Sequence, residues 1–227
     1  MATKQNDIHP FINETLEAIT GALSIEDSDR VMSICSCGAQ PLSFLQYIGD
    51  SGSVLAADYN PEQIKFTKRV MKLIKEGNVD ELEALNIAPK DRIYFSDEER
   101  LESIARNFSK LQFEVMDVSE KPKIRGRFNK GYFSNAPVNL KYFHPVFEDG
   151  ALVYVAFATA SLPNQIERFL DNRSEAYGCD IRQLFDIDRE RTERACRIEA
   201  AHPTVYHRSI ANGSIGCDWT PCVFRKK

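Results

Sequence analysis

The 227 residues carry 29 Lys and Arg against 33 Asp and Glu, a net charge of −4 with His neutral. A hydrophobic share of 43% with 27% charged residues excludes wholesale disorder and suits one domain with a sizeable core. The acidic balance argues against a nucleic-acid partner, which calls for a basic excess, and no apolar run approaches the ~20 residues that cross a bilayer.

The polar start, Met1 to Pro10, lacks the apolar core of a secretion signal, so the expected address is the cytoplasm. Over residues 8–24, Ile12, Leu16, Ile19 and Leu23 recur at three- and four-residue intervals, one apolar stripe of an N-terminal helix. After the polar EDSDR comes an apolar run, Val31 to Cys35, closed by Ser36-Cys37-Gly38. Leu42, Phe44, Leu45 and Ile48 then suggest a short helix, stopped by Gly49-Asp50-Ser51-Gly52. A second run, Val54 to Ala57, ends in Asp58. The order is strand, glycine turn, helix, strand with an acid at its end. That acid stands 20 residues past Gly38, where a βαβ nucleotide fold places the group that takes hydrogen bonds from a ribose.

Asn60-Pro61 opens a long helix, since proline suits a first helical turn. Ile64, Val70, Met71, Leu73 and Ile74 form its apolar face, while Lys65, Lys68, Arg69, Lys72 and Lys75 make a solvated one. Residues 77–110 read as a helical insertion in two pieces, VDELEALNI and SDEERLESIARNF. Ser96 and Glu99 give the second piece a capping-box pattern. An insertion this long between a helix and the next strand suggests a lid over the strand ends. Strands resume at Phe113–Asp117, Phe128–Ser134 and Ala151–Ala158. The tail 164–200 reads as mostly helical, and 203–210 with 219–225 as a closing pair of strands. The alternation gives a single α/β domain over residues 1–227 with a mainly parallel sheet.

Six cysteines and four histidines are scattered. No cysteines form a C-x-x-C pair and no histidines lie at i, i+4, so no metal site is expected and the cysteines read as small apolar filler. Cys35 and Cys37 have no base nearby in sequence, which argues against a nucleophile. Asp186, Asp188 and the alternating RERTERACR read as a salt-bridged helix surface.

An open parallel sheet binds its ligand beyond the carboxyl ends of the strands. The groups gathered there are Ser36, Cys37, Gly38 and Gln40 after the first strand, and Asp58, Tyr59, Asn60 and Gln63 after the second. Asp117 follows the third, and Ser134 with Asn135 the fourth. The first turn lacks G-x-G-x-x-G, which disfavours a diphosphate. A nucleoside bearing an amino acid fits better: ribose on Asp58, adenine beside Asp117, carboxylate at the first turn. S-adenosylmethionine is such a ligand. Asn60 and Gln63 divide evenly between that role and solvent-facing cap residues. Asn135 divides between orienting an α-amine and an Asx turn before proline, and Ser134 shares that division. Tyr132, Phe133 and Tyr177 are candidates to face a sulfonium. Alternation sends Tyr132 and Phe133 to opposite faces, where aromatics are usually core, whereas Tyr177 lies in the polar stretch NRSEAYG.

The segment SICSCGAQPLSFL followed by VLAADYNPEQ resembles the cofactor core of S-adenosylmethionine-dependent 3-amino-3-carboxypropyl transferases. It is similar to the betaine-lipid synthase branch through Ser36, Gly38, Leu42, Leu45, Asp58, Asn60, Pro61 and Gln63, and GAQPLS resembles the turn of nicotianamine synthases. The resemblance covers about residues 31–70 and returns faintly at YFSNAP. Cys37 departs from the small residue those families carry, and their large acceptor-recognising domains have no counterpart here.

The resemblance implies a Rossmann-like, class I methyltransferase-like fold with helices on both faces of the sheet. It implies S-adenosylmethionine as substrate, with Ser36, Cys37, Gly38, Gln40, Asp58, Tyr59, Asn60, Gln63, Asp117 and Asn135 as its contacts and no metal. Asn135, Ser134 and Tyr177 stand at the reacting end. The implied reaction releases methylthioadenosine, either by closing azetidine-2-carboxylate on the substrate's own amine or by transfer to a small amine. A small-molecule methyltransferase and a non-catalytic binding domain are the alternatives, and the oligomeric state is left open.

Overall fold

The computed structural model describes residues 15–34, 40–84, 97–134, 139–159, 170–171, 179–201 and 218–227. Helix α1 (Leu16–Leu23) begins at Thr15, whose hydroxyl accepts the Ala18 N–H at 3.1 Å, a side-chain cap on one of the donors a helix start leaves unpaired. Leu16, Ile19 and Leu23 of the expected stripe are buried, while Ile12 lies outside the described residues. Strand β1 (Arg30–Ile34) leads to α2 (Gln40–Leu45), and β2 (Ser53–Asp58) to α3 (Pro61–Glu76). Asn60 caps α3, its side chain accepting the Glu62 N–H at 3.0 Å with Pro61 in the first turn, and Gly77 ends it at φ 64°. That left-handed value suits glycine, which has no Cβ to clash.

The described parts of the 77–110 insertion are α4 (Val79–Ala84) and α5 (Glu98–Arg106). Leu82 and Ile104 are buried in the same core as α2 and α3, and the Asn107 amide donates to the carbonyls of Leu45 and Ile48 at 2.9 and 2.8 Å. These helices thus belong to the layer against the sheet, and residues 85–96 between them lie outside the described residues. The cap of α5 is Asp97, whose carboxylate accepts the Arg100 N–H at 3.2 Å, one residue later than the Ser96–Glu99 pattern placed it. A carboxylate at this position also meets the positive end of the helix dipole, which a serine does not.

Strands β3 (Leu111–Val115) and β4 (Phe128–Ser134) follow, then α6 (Leu140–Phe143), β5 (Phe147–Thr159), β6 (Phe185–Ile187), α7 (Arg189–Ala201) and β7 (Asp218–Lys226). Seven strands pair in the order β3-β2-β1-β4-β5-β7-β6. All pairs from β3 to β5 are parallel, and β7 runs antiparallel to both β5 and β6. The expected mainly parallel α/β sheet is therefore observed. The tail is corrected in one respect: Phe185–Ile187 is a strand, although 164–200 reads as mostly helical. Three residues are too few to show a period of two beside a charged helix. This strand and β5 flank β7, while 203–210 lies outside the described residues.

Alternation along the strands divides the core in two. One face holds Val31, Ala56, Tyr132 and Tyr154 with α1, α2, α3, α5 and α7. The other holds Met32, Ile34, Phe133, Val153 and Phe224 with α6 and β6. The charged run of α7 is only partly a surface. Arg225 and Arg191 pair with Asp188 at 2.8 and 3.4 Å, but Glu199 is buried and accepts the Thr15 N–H at 2.6 Å. Thr192 is also buried and takes the Val223 N–H at 2.9 Å. Cys222 is core, and burial raises the Cys196 thiol pKa, with the Glu199 charge adding to it, consistent with filler.

His144 sits half-buried with its ring 5.4 Å from Phe185. Burial and then the Lys226 charge lower its pKa below 6.5, against an opposing pull from Asp149. A histidine depressed in the folded state binds fewer protons there than when unfolded, so stability present above pH 6.5 is lost as pH falls through the folded value. Urea midpoints should therefore drop as pH falls below 6.5, and His144→Gln should flatten that slope.

Candidate functional site

The sheet order reverses at β1: the chain builds β2 and β3 to one side, then returns to place β4 on the other. The cleft beyond the carboxyl ends of β1, β2 and β4 is the switch point of such a sheet. Asp58 is the last residue of β2 and only 9% exposed. Its Oδ1 accepts the Asn60 N–H at 2.8 Å. The cap of α3 is Asn60, so Asp58 is not there to cap the helix.

The β2–β3 ladder extends past its last pair, with the Met116 N–H donating to the Asp58 carbonyl at 3.0 Å. Asp117, the next residue, thus lies at the same edge, within roughly 8 Å of Asp58 along the backbone. It is exposed, and its Oδ1 accepts both the Ser119 hydroxyl at 2.7 Å and the Ser119 N–H at 2.8 Å. These two bonds, the hydroxyl's first, lower its pKa and keep it ionised. Tyr59 is 57% exposed beside them, an aromatic surface open at the strand end. Asn60 and Gln63 are both buried, which corrects the solvent-facing half of their reading, while Asn60 does cap the helix.

On β1's side, Gln40 opens α2 with no exposure at all. Its Nε2 donates to the Tyr132 hydroxyl, while its Oε1 has no partner among the described residues. Tyr132 packs edge-on to Phe44 and against Tyr154, with centroids 6.0 and 5.7 Å apart. Phe133 lies in the opposite core against Phe143 and Phe147. Both aromatics are fully buried, Tyr132 in one core and Phe133 in the other. Ser134 closes β4 in register with Ala156. Ser36, Cys37, Gly38, Asn135 and Tyr177 lie outside the described residues.

The structure thus brings Asp58, Tyr59, Asn60, Gln63 and Asp117 to one edge and Gln40 to the neighbouring strand end. Sequence reading missed Ser33, buried on β1 in register with Tyr132, whose hydroxyl has no partner among the described residues. The signal available was a lone serine inside the apolar run Val31 to Ile34. Among the described residues, no group of three His, Cys, Asp or Glu side chains could hold a metal ion, and no helix is long and apolar enough to cross a membrane.

No family model and no curated protein matches the sequence. Solved structures do resemble the fold. A SAM-dependent methyltransferase from Thiobacillus denitrificans, in complex with S-adenosyl-L-homocysteine, is 12% identical over 99% of this chain and 96% of its own, with a TM-score of 0.53. The [4+2]-cyclase SpnF is 10% identical over 92% and 79%, with a TM-score of 0.51. A dimethyladenosine transferase from Plasmodium falciparum is 15% identical over 93% and 61%, with a TM-score of 0.50. The strand order and these likenesses give the chain the Rossmann-like, class I methyltransferase fold. A fold shared by methyltransferases and a cyclase leaves the reaction to be argued from the site.

Proposed function

We propose that the protein is an S-adenosylmethionine-dependent enzyme of 3-amino-3-carboxypropyl chemistry, acting on a small molecule. The observation that carries the reading is Asp58, a buried carboxylate at the carboxyl end of the strand beside β1, ahead of a helix that Asn60 already caps. The residues present fit such a ligand. Asp58 takes the ribose hydroxyls, Asp117 and Tyr59 flank the adenine, and Asn60 and Gln63 line the turn. Ser36, Cys37, Gly38 and Gln40 receive the amino-acid end. The orphaned, buried Oε1 of Gln40 is a specific sign that a polar group is expected there.

The choice of carbon rests on the resemblance over residues 31–70, in which Leu42 and Leu45 of α2 are fully buried as a Leu-x-x-Leu helix requires. At the γ-carbon, an amine nitrogen forms the new bond as the carbon–sulfur bond breaks. The bonding pair goes to sulfur, methylthioadenosine leaves, and the nitrogen's proton passes to water. Asn135 orients the amine, with Ser134 beside it and Tyr177 against the cation. Holding the amine in line is a large lever, since alignment can supply ~7–11 kcal/mol of barrier. With the substrate's own amine as nucleophile, the product is azetidine-2-carboxylate; with a second small amine, it is a transfer product.

A methyltransferase is the second reading, favoured by two of the fold neighbours being methyl-transfer enzymes by description. The by-product separates the two. In incubations of the protein with S-adenosylmethionine and a panel of small amines, methylthioadenosine is expected. S-adenosylhomocysteine in its place would overturn the γ-carbon reading in favour of methyl transfer.

A further inference from the structure

At the carboxyl end of β1, two oxygens lack partners among the described residues: Oε1 of Gln40 and Oγ of Ser33. Both side chains are wholly buried, at 0% exposure. Ser33 and Tyr132 are register partners in adjacent parallel strands and so share a face. Tyr132 in turn takes a hydrogen bond from the Gln40 Nε2, so one tyrosine in an otherwise apolar core adjoins both residues that carry the orphans.

A buried carbonyl without a donor is destabilising, and native interiors seldom keep one that nothing fills. A leucine at position 40 would pack in the same volume without that cost. The amide is also held from one end only. Its NH2 is committed to Tyr132, whose ring is wedged between Phe44 and Tyr154, leaving an oxygen that can only accept. The matching ligand group is therefore a hydrogen-bond donor, N–H or O–H. In the ligand class argued above, the α-amino group is the N–H donor at the end that the first turn receives.

We propose that Gln40, set in place by Tyr132, is a specificity residue that reads the ligand's α-amino group. The inference rests on the S-adenosyl reading of the site. It adds that the protein discriminates between ligands by the presence of that amine.

The test compares affinities by calorimetry for S-adenosylhomocysteine and for its analogue with hydrogen in place of the α-amino group. Wild-type protein should prefer the amine-bearing ligand by about 10- to 100-fold, the range of one charge-assisted hydrogen bond. In Gln40→Leu the ratio should collapse towards unity, because the lost partner matters only to the ligand that carries the amine. Tyr132→Phe leaves the amide in place but removes its anchor, so its ratio should fall part of the way, and it carries the test if circular dichroism shows Gln40→Leu unfolded. A preserved ratio in either folded variant overturns the proposal. So does equal weakening of both ligands, which would mark a structural role, or a variant that gains stability with the ratio unchanged, which would mean the oxygen holds only water. Equal wild-type affinity for the two ligands overturns the proposal and leaves the S-adenosyl reading standing. Binding of neither ligand by the wild type removes both.

Discussion

Asp58→Ala should remove at least about 100-fold of the affinity for S-adenosylhomocysteine, measured by calorimetry. Hydrogen bonds to a charged acceptor are worth about 1.5–3 kcal/mol each, so two ribose hydroxyls on one carboxylate sum to roughly 3–6 kcal/mol. The variant also loses the acceptor for the Asn60 N–H, which frees the start of α3. Asp58→Asn separates the two effects, because an amide oxygen can still accept from Asn60 without the charge. The expected order of affinity is wild type, then Asn, then Ala. Unchanged affinity in both variants would mean the ribose does not sit at the end of β2.

Phe133→Ala should cost about 3–5 kcal/mol of stability, read from urea unfolding. Phe133 is 1% exposed in the middle of the sheet, between register partners Ile34 and Val155. Its ring stands edge-on to Phe143 at 5.4 Å and to Phe147 at 5.9 Å. Such pairs add about 0.5–1.5 kcal/mol beyond area burial, so the truncation leaves a cavity and loses two aromatic contacts. Against a total stability of about 5–15 kcal/mol for a domain, that is a large share. Phe133→Leu fills most of the space and should cost less. A midpoint unmoved by either change would show that the second core does not hold β4 in place.

Where the sequence was legible, the signals were redundant. Asn60, Pro61 and the spacing of Ile64, Val70 and Leu73 each point to the same helix start and face, and α3 has all of them. Asp58 could be placed because two apolar runs bracket a glycine turn, and local pattern then fixes strand, turn and strand together. The parallel sheet followed from the alternation of elements. Legibility failed where a feature is short or depends on distant partners. Phe185–Ile187 gives too few residues for a period, and only pairing with Phe224, Arg225 and Lys226 of β7 makes it a strand. Glu199 reads as one more charge in RERTERACRIEA, yet Thr15 from the far end of the chain turns it into a buried acceptor. Ser33 and Tyr132 sit in runs that read as plain core, and their polar neighbourhood arises only when β4 is laid beside β1.

The same division holds for the chemistry. The acid at the end of β2 and the aromatic after it are local signals and were available from sequence. The pairing of Gln40 with Tyr132 joins positions 92 residues apart and no local pattern contains it. Position 40 was legible as part of a turn, whereas the direction of its one unpaired atom was not.

Attack at the γ-carbon of S-adenosylmethionine, in place of its methyl carbon, is read directly from the products. The most direct measurement is to incubate the purified protein with S-adenosylmethionine as the only small molecule and follow both fragments by mass spectrometry. Methylthioadenosine is expected at a rate above the uncatalysed control, with azetidine-2-carboxylate in equal amount when the substrate's own amine closes the ring. S-adenosylhomocysteine as the product, or intact S-adenosylmethionine both here and with every small amine supplied, would contradict it.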